Sequence, residues 1–208
     1  MTGLLARGLL LAFEGLDGCG KSTQIERLHQ RLQAAGVRVR ALREPGGTEL
    51  GEAVRDLLLH GGARTPQAEM LLYMAARAEL YERVVLPALA AGETVLLDRS
   101  QYSTAAYQGA GLGLPVDGIL SLAEHAVGGR WPERVVLLDL DPAAARARLP
   151  ESKDRIESRD AAYFLRVAQG FRALAAREPA RFRVVDARGN PDEVAARVAA
   201  ALADVLPG

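Results

Sequence analysis

The sequence predicts an α/β fold: a parallel sheet of five strands with helices on both faces. Two observations carry that prediction. Short apolar runs at residues 9–13, 37–42, 94–97, 134–140 and 182–185 alternate with stretches of helical periodicity. The first run also passes straight through a glycine-rich turn into a helical pattern, the strand–turn–helix order of such folds.

Each element has its own local cause. Residues 9–13 are continuously apolar and stop at a Gly-rich turn. Residues 24–35 set Ile25, Leu28 and Leu32 on one helical face, and Gly36 ends the helix. Residues 37–42 alternate as a strand. Residues 67–91 read as one long helix closed by Gly92, and 94–97 as the next strand. Residues 134–140 form a buried-type strand, followed by Asp141 as N-cap and Pro142 at the first helical position. A helix over 159–177, a strand over 182–185 and a helix over 192–206 complete the chain. No repeat, low-complexity tract or linker divides the 208 residues, so one domain over 1–208 is expected. In a parallel sheet of this kind ligands bind beyond the carboxyl ends of the strands, so the polar residues after each strand are the ones to read.

Composition narrows the function. Half the residues are apolar, which favours a packed globule. With 26 basic and 26 acidic residues the net charge is zero, and nothing global draws the chain to nucleic acid or an anionic membrane. No apolar run is long enough for a membrane span. Residues 1–8 carry one Arg and no cleavage pattern, which argues against a signal peptide. Cys19 is the sole cysteine, so no intrachain disulfide forms. A cytoplasmic protein is the expectation. His29, His60 and His125 share no metal-ligand spacing.

The turn after the first strand reads Gly15-Leu16-Asp17-Gly18-Cys19-Gly20-Lys21-Ser22, followed by Thr23. This is G-x-x-x-x-G-K-[ST] in full, between a strand and a helix, where the phosphate-binding loop belongs. Glycines let backbone N–H groups turn toward phosphate oxygens, and the helix adds its positive end. Lys21 would reach the β/γ-phosphates of a nucleotide, and the Ser22 hydroxyl would serve Mg²⁺. Cys19 reads as a small side chain in a tight turn; the alternative is a thiol activated by the helix N-terminus and Lys21.

A phosphate loop alone does not name a reaction. The base-reading N-K-x-D of GTPases is missing, because Asn190 is the single asparagine and Pro191 follows it. No transporter-type LSGGQ signature occurs. Instead the second strand ends in Arg43-Glu44-Pro45-Gly46-Gly47-Thr48, and the long helix carries Tyr73-Met74-Ala75-Ala76-Arg77. The third strand ends in Asp98-Arg99, with Ser103-Thr104-Ala105-Ala106-Tyr107-Gln108-Gly109 close behind. With Asp154-Arg155-Ile156-Glu157 further on, these segments resemble bacterial thymidylate kinases, in order over nearly the whole chain. R-E-P-G-G-T together with A-Y-Q-G is specific to that family.

The resemblance implies a three-layer α/β/α P-loop NTPase fold with a mobile lid, at about 146–160 here, and a homodimer. It implies phosphoryl transfer from ATP to dTMP with Mg²⁺. Arg77 and Arg99 would grip the acceptor phosphate, since guanidinium forks match phosphate oxygens. Tyr73 would stack on thymine, Thr104 and Gln108 would hydrogen-bond the base, and Tyr107 would pack where a ribose 2′-OH would sit. Asp17 would take the sugar 3′-OH. Asp98 would orient Mg²⁺ through water and hold Arg99. Glu44 and Pro45 would shape the acceptor floor, a site that admits a cis bond. Without the family register Tyr73 would read as core, Arg77 as a solvated charge and Tyr107 as packing.

Residues 146–160 are dense in charge, and a solvated loop is the plain reading. Phosphoryl transfer tips it the other way: an arginine closing over the γ-phosphoryl is worth about 10³–10⁵ in rate in P-loop enzymes. Some thymidylate kinases carry that arginine in the phosphate loop, where this chain has Gly18 and Cys19. It therefore resembles the bacterial type with lid arginines: Arg148 first, Arg146 and Arg155 next, with Lys153 assisting. Pro150 departs from enteric relatives, which carry a further arginine there. A kinase for another monophosphate or a deoxynucleoside, and a P-loop switch that binds ATP without turnover, stay open at this point.

Overall fold

The structure is a computed structural model and describes residues 8–149, 155–156 and 158–206. Five strands form one parallel sheet in the order β2-β3-β1-β4-β5. They are β1 (Leu10–Glu14), β2 (Val39–Arg43), β3 (Thr94–Asp98), β4 (Arg134–Asp139) and β5 (Phe182–Asp186). The continuously apolar strands β1, β3 and β4 take the centre, where both faces are covered. The outer strands carry arginines: exposed Arg40 of β2 pairs with Glu93, and half-buried Arg183 of β5 with Asp204. Charged side chains on an edge discourage pairing with another chain.

Helix α1 (Lys21–Ala34) buries Ile25, Leu28 and Leu32 and packs on β1, β2, β3 and α9 (Pro191–Ala201). The other face is covered by α4 (Leu86–Ala90), which packs on β3, and α8 (Ala161–Arg177), which packs on β4 and β5. Behind that layer α3 (Pro66–Leu80) packs on α2 (Glu49–His60) and α6 (Val116–Ala126). Caps define the ends. Asp160 accepts from the Tyr163 N–H at 2.7 Å, and Asn190 with Glu193 forms a capping box before α9. Asp141 accepts from the N–H groups of Ala143 and Ala144 and opens the short α7 (Pro142–Arg146), as its sequence indicates.

The long helix expected over 67–91 is present but not uniform. It runs as α3, a π-helical turn at Tyr81–Val85, then α4. Pro87 explains the break: it lacks the N–H that would bond to residue 83, and the widened turn absorbs the defect. A second π-helical turn, Ala105–Gly111, follows the four-residue α5 (Gln101–Thr104). Helices α2, α5 and α6 were not anticipated from sequence. The last helix ends at Ala201 rather than 206, where Leu202 turns fully into the core.

Register brings the functional ends together. Phe13 of β1 lies opposite Asp98 of β3, and Asp98 lies opposite Arg43 of β2. The segments after β1, β2 and β3 thus leave from one edge of the sheet.

Candidate active site

The phosphate loop crosses from β1 to α1 with Gly15, Gly18 and Gly20 all at positive φ. Gly18 shows why: a Cβ there would lie 2.1 Å from the carbonyl oxygen of Ala145. Lys21 is buried and folds back over the loop. Its Nζ donates to the carbonyls of Gly15 at 3.1 Å and Leu16 at 3.0 Å, and stands 3.9 Å from the Asp17 carboxylate. The Ser22 hydroxyl donates to Asp98 Oδ2 at 2.8 Å, so the two groups expected near a metal already meet. Cys19 is buried, and desolvation pushes its thiol pKa up, which supports the small-side-chain reading.

Asp98 ends β3, and Arg99 turns out of the strand with φ 73°, a left-handed conformation rare outside glycine. Its guanidinium pairs with the Asp17 carboxylate, donates to Ser103 Oγ at 3.1 Å and lies 4.9 Å from the Tyr107 ring centre. The Tyr107 hydroxyl donates to the other Asp17 oxygen at 3.2 Å. Burial alone would raise the Asp17 pKa; Arg99 and then Lys21 outweigh it and hold it at about 2. An anion and a cation therefore face each other where phosphate loop and third strand meet.

Glu14 fastens this arrangement from below. Fully buried, its Oε1 accepts from the Ser100 N–H at 2.8 Å, the Ser100 hydroxyl at 2.7 Å and the Ser103 N–H at 3.2 Å. Its Oε2 accepts from the Ser103 hydroxyl at 2.5 Å. Desolvation pushes the Glu14 pKa up, and these serines partly offset it. The strand β1 thereby holds the turn that aims Arg99.

A narrow slot opens beside this pair. Leu59, Tyr73, Arg77, Thr104, Gln108 and Ile156 are among its lining residues. The bond between Glu44 and Pro45, at its edge, is cis. Arg77 is 2 % exposed; its Nε donates to Glu44 at 2.6 Å and its Nη2 to Thr104 Oγ1 at 3.1 Å. Glu44 Oε1 has no hydrogen-bond partner among the described residues. Desolvation and then the charge of Glu69 push the Tyr73 phenol up to about 12, so it stays neutral. Gln108 is 1 % exposed, and its amide nitrogen donates to Glu69 at 2.8 Å.

On the other side lies a broad cleft of about 760 Å³ over the phosphate loop, bordered by Arg148 and by Ala187, Gly189 and Pro191. Slot and cleft share a wall of Asp17, Glu44, Arg55 and Arg99. Two compartments, one over the phosphate loop and one a narrow slot, meet at two arginines. Residues 13–198 match the family model described as Thymidylate kinase. The chain belongs to the thymidylate kinase family. It is 48% identical over 192 residues to a thymidylate kinase of Synechococcus sp. (strain JA-3-3Ab), covering 91% of this chain and 93% of that one. It is 46% identical over 203 residues to a thymidylate kinase of Deinococcus radiodurans, covering 96% and 98%. The crystal structure of thymidylate kinase from Ehrlichia chaffeensis superposes with a TM-score of 0.79 at 30% identity, covering 95% of this chain and 99% of that one.

The expected thymidylate kinase residues are not all in one place. Lys21, Ser22, Asp98, Arg99 and Arg148 border the broad cleft, while Tyr73, Arg77, Thr104, Tyr107 and Gln108 border the slot. Arg77 borders the slot alone, bonded to Thr104 and to Glu44 of the shared wall, while Arg55 borders both compartments. Arg146 borders a separate small pocket with Pro142, Leu149 and Phe164. Arg155 turns to Glu69 and donates from Nε to the Leu58 carbonyl at 3.2 Å. Lys153 lies outside the described residues. Sequence reading missed Arg55, Glu14 and Glu69. A signal for Arg55 existed: Thr48 caps a segment whose Leu50, Val54 and Leu57 recur at helical spacing.

Proposed function

We infer that the chain transfers the γ-phosphoryl group of ATP to dTMP, giving dTDP and ADP. The shared wall of Asp17, Glu44, Arg55 and Arg99 carries this reading, because a donor γ-phosphate and an acceptor phosphate from the two compartments would meet there. ATP would lie in the broad cleft, its phosphates under the N–H groups of residues 15–23 and its base toward the backbone of 187–191. In the slot Tyr73 stacks on thymine, Thr104, Arg77 and Gln108 face its polar edge, and Tyr107 closes the place of a ribose 2′-OH. Asp17 takes the sugar 3′-OH. Arg99 and Arg55 hold the acceptor phosphate.

The acceptor phosphate is an anion at neutral pH, so no general base is required. Catalysis is alignment plus charge stabilisation. Lys21 neutralises the β/γ-phosphates, Arg99 draws the nucleophilic oxygen into line, and Arg148, on the lid at 146–160, covers the γ-phosphoryl as charge spreads onto its oxygens. Mg²⁺ fits the site. The described residues offer no three-ligand acidic cage, and Mg²⁺ needs none, since it takes one or two protein oxygens, substrate phosphates and water. Ser22 and Asp98 would hold it, and it would neutralise phosphate charge.

ADP release from Mg·ATP with dTMP, dUMP, dCMP, dGMP, UMP and thymidine, each offered separately, tests the reading. Strong turnover with dTMP, weaker with dUMP and almost none with UMP or thymidine is expected. Preference for another monophosphate keeps the chemistry and overturns the acceptor. ATP binding with silence toward every acceptor leaves only a nucleotide switch.

A homodimer is the second part of this proposal. Leu50 and Leu57 on α2 and Leu71 on α3 are 46 %, 46 % and 53 % exposed, on two helices that pack together. Sedimentation should give twice the chain mass, and Leu57→Glu should shift it to the monomer. A monomeric parent protein ends that proposal. No helix among the described residues is long and apolar enough to cross a membrane. We place the chain in the cytoplasm, on its single cysteine and its nucleotide substrates.

A further inference from the structure

We propose that Glu69 is a specificity-determining residue: it fixes the orientation of the Gln108 amide so that an acceptor, not a donor, faces the base. The inference rests on the reading that Gln108 contacts the base. Glu69 lies on α3, is 1 % exposed and touches none of the reacting groups. Its carboxylate receives the Arg155 guanidinium, Arg159 Nη2 at 3.2 Å, and Gln108 Nε2 at 2.8 Å.

A carboxylate accepts and does not donate, so the half of the Gln108 amide that meets it is the NH₂ group. The partner decides the amide's orientation. Gln108 borders the slot, and its carbonyl oxygen is the amide atom left to meet a ligand. Thymine and uracil carry a hydrogen on N3, which that oxygen accepts. Cytosine carries a lone pair on N3, which that oxygen repels. A site holding a fixed polar group rejects the ligand that leaves it unpaired. The two arginines make the device one-way, because they occupy the carboxylate and leave it no reason to rotate.

Replacement by glutamine predicts a specific failure. In Glu69→Gln the new carbonyl is taken by Arg155 and Arg159, which can only donate. The new NH₂ then faces Gln108, whose amide flips to offer its own carbonyl. The Gln108 NH₂ now faces the slot and suits cytosine N3.

The experiment measures kcat/KM for dTMP, dUMP and dCMP in four proteins. In Glu69→Gln the dTMP:dCMP ratio should fall by about tenfold or more. The dTMP:dUMP ratio should stay within about twofold of wild type, because both bases share the N3 hydrogen. In Glu69→Gln/Gln108→Glu, where acid and amide trade places, an acceptor faces the slot again and the dTMP:dCMP ratio should recover. Equal loss with all three acceptors in Glu69→Gln would reduce Glu69 to a structural residue and overturn the inference. So would a double variant that keeps the lowered ratio. Gln108→Leu separates the two readings. If it lowers the dTMP:dCMP ratio while Glu69→Gln does not, the inference alone fails. If it leaves that ratio unchanged, Gln108 does not read the base and both readings fail.

Discussion

Arg99→Ala should lower kcat/KM for dTMP by about a thousandfold, the scale seen when a positioned charge is removed from a phosphoryl-transfer site. The guanidinium stands in the wall common to both compartments and is held by Asp17, Ser103 and the Tyr107 ring. A lysine, lacking the planar fork, should restore only part of the activity. The variant carries a second signature. Asp17 has its pKa depressed from 3.8 to about 2, so its pairing stabilises the fold above about pH 3.8 and is lost as pH falls toward 2. Without Arg99, burial of the Asp17 carboxylate loses its main compensation, and acid unfolding should begin at a higher pH. Steady-state kinetics and circular dichroism between pH 2 and 5 check the two halves. Wild-type turnover in Arg99→Ala would remove Arg99 from the chemistry.

Arg148→Ala should lower kcat by about a hundredfold or more while leaving the KM for dTMP nearly unchanged, the pattern of an interaction made only in the transition state. Geometry separates the lid arginines. Arg148 borders the broad cleft, and among the described residues its guanidinium makes long contacts, 3.4 and 3.5 Å, to the Ala187 carbonyl. Such contacts are weak enough to exchange for phosphate oxygens. Arg146 borders a different pocket, and Arg155 is paired with Glu69. Arg146→Ala and Arg155→Ala should therefore cost less in kcat than Arg148→Ala. An unchanged kcat in Arg148→Ala would move the role elsewhere in the lid.

What the sequence made legible follows the strength of local signals. The strand segments became five strands: the central ones read as apolar runs because a strand buried on both faces must be, and the edge strand β2 by its alternation. The phosphate loop was legible because one turn needs glycines, a lysine and a serine at fixed spacing. The cap at Asp141 declared itself for the same reason, whereas Asn190, read only as the asparagine before Pro191, proved to be the cap of α9. Helix α2 escaped attention beside the louder R-E-P-G-G-T motif, although its cap and periodicity were present. The family resemblance assigned Arg77 to the acceptor phosphate, where a guanidinium fork suits phosphate oxygens. Its partners Glu44 and Thr104, 33 and 27 residues away in the chain, hold it inside the slot, which no local signal indicates. Glu14 and Glu69 were invisible for a related reason. A carboxylate in a strand or helix reads as solvated until the fold reveals which distant donors surround it.

The π-helical turn at Ala105–Gly111 carries one more residue per turn than an α-helix would. On its upstream side Ser103 reaches Glu14; within it Gln108 reaches Glu69. Deleting one residue between those points would restore regular winding and rotate one flank against the other by about 100°. Either serine or glutamine could then keep its carboxylate, but not both. The extra residue of the wide turn thus lets one short segment reach two buried carboxylates on different elements, Glu14 of β1 and Glu69 of α3. A length change here would leave one of the two buried carboxylates short of a donor.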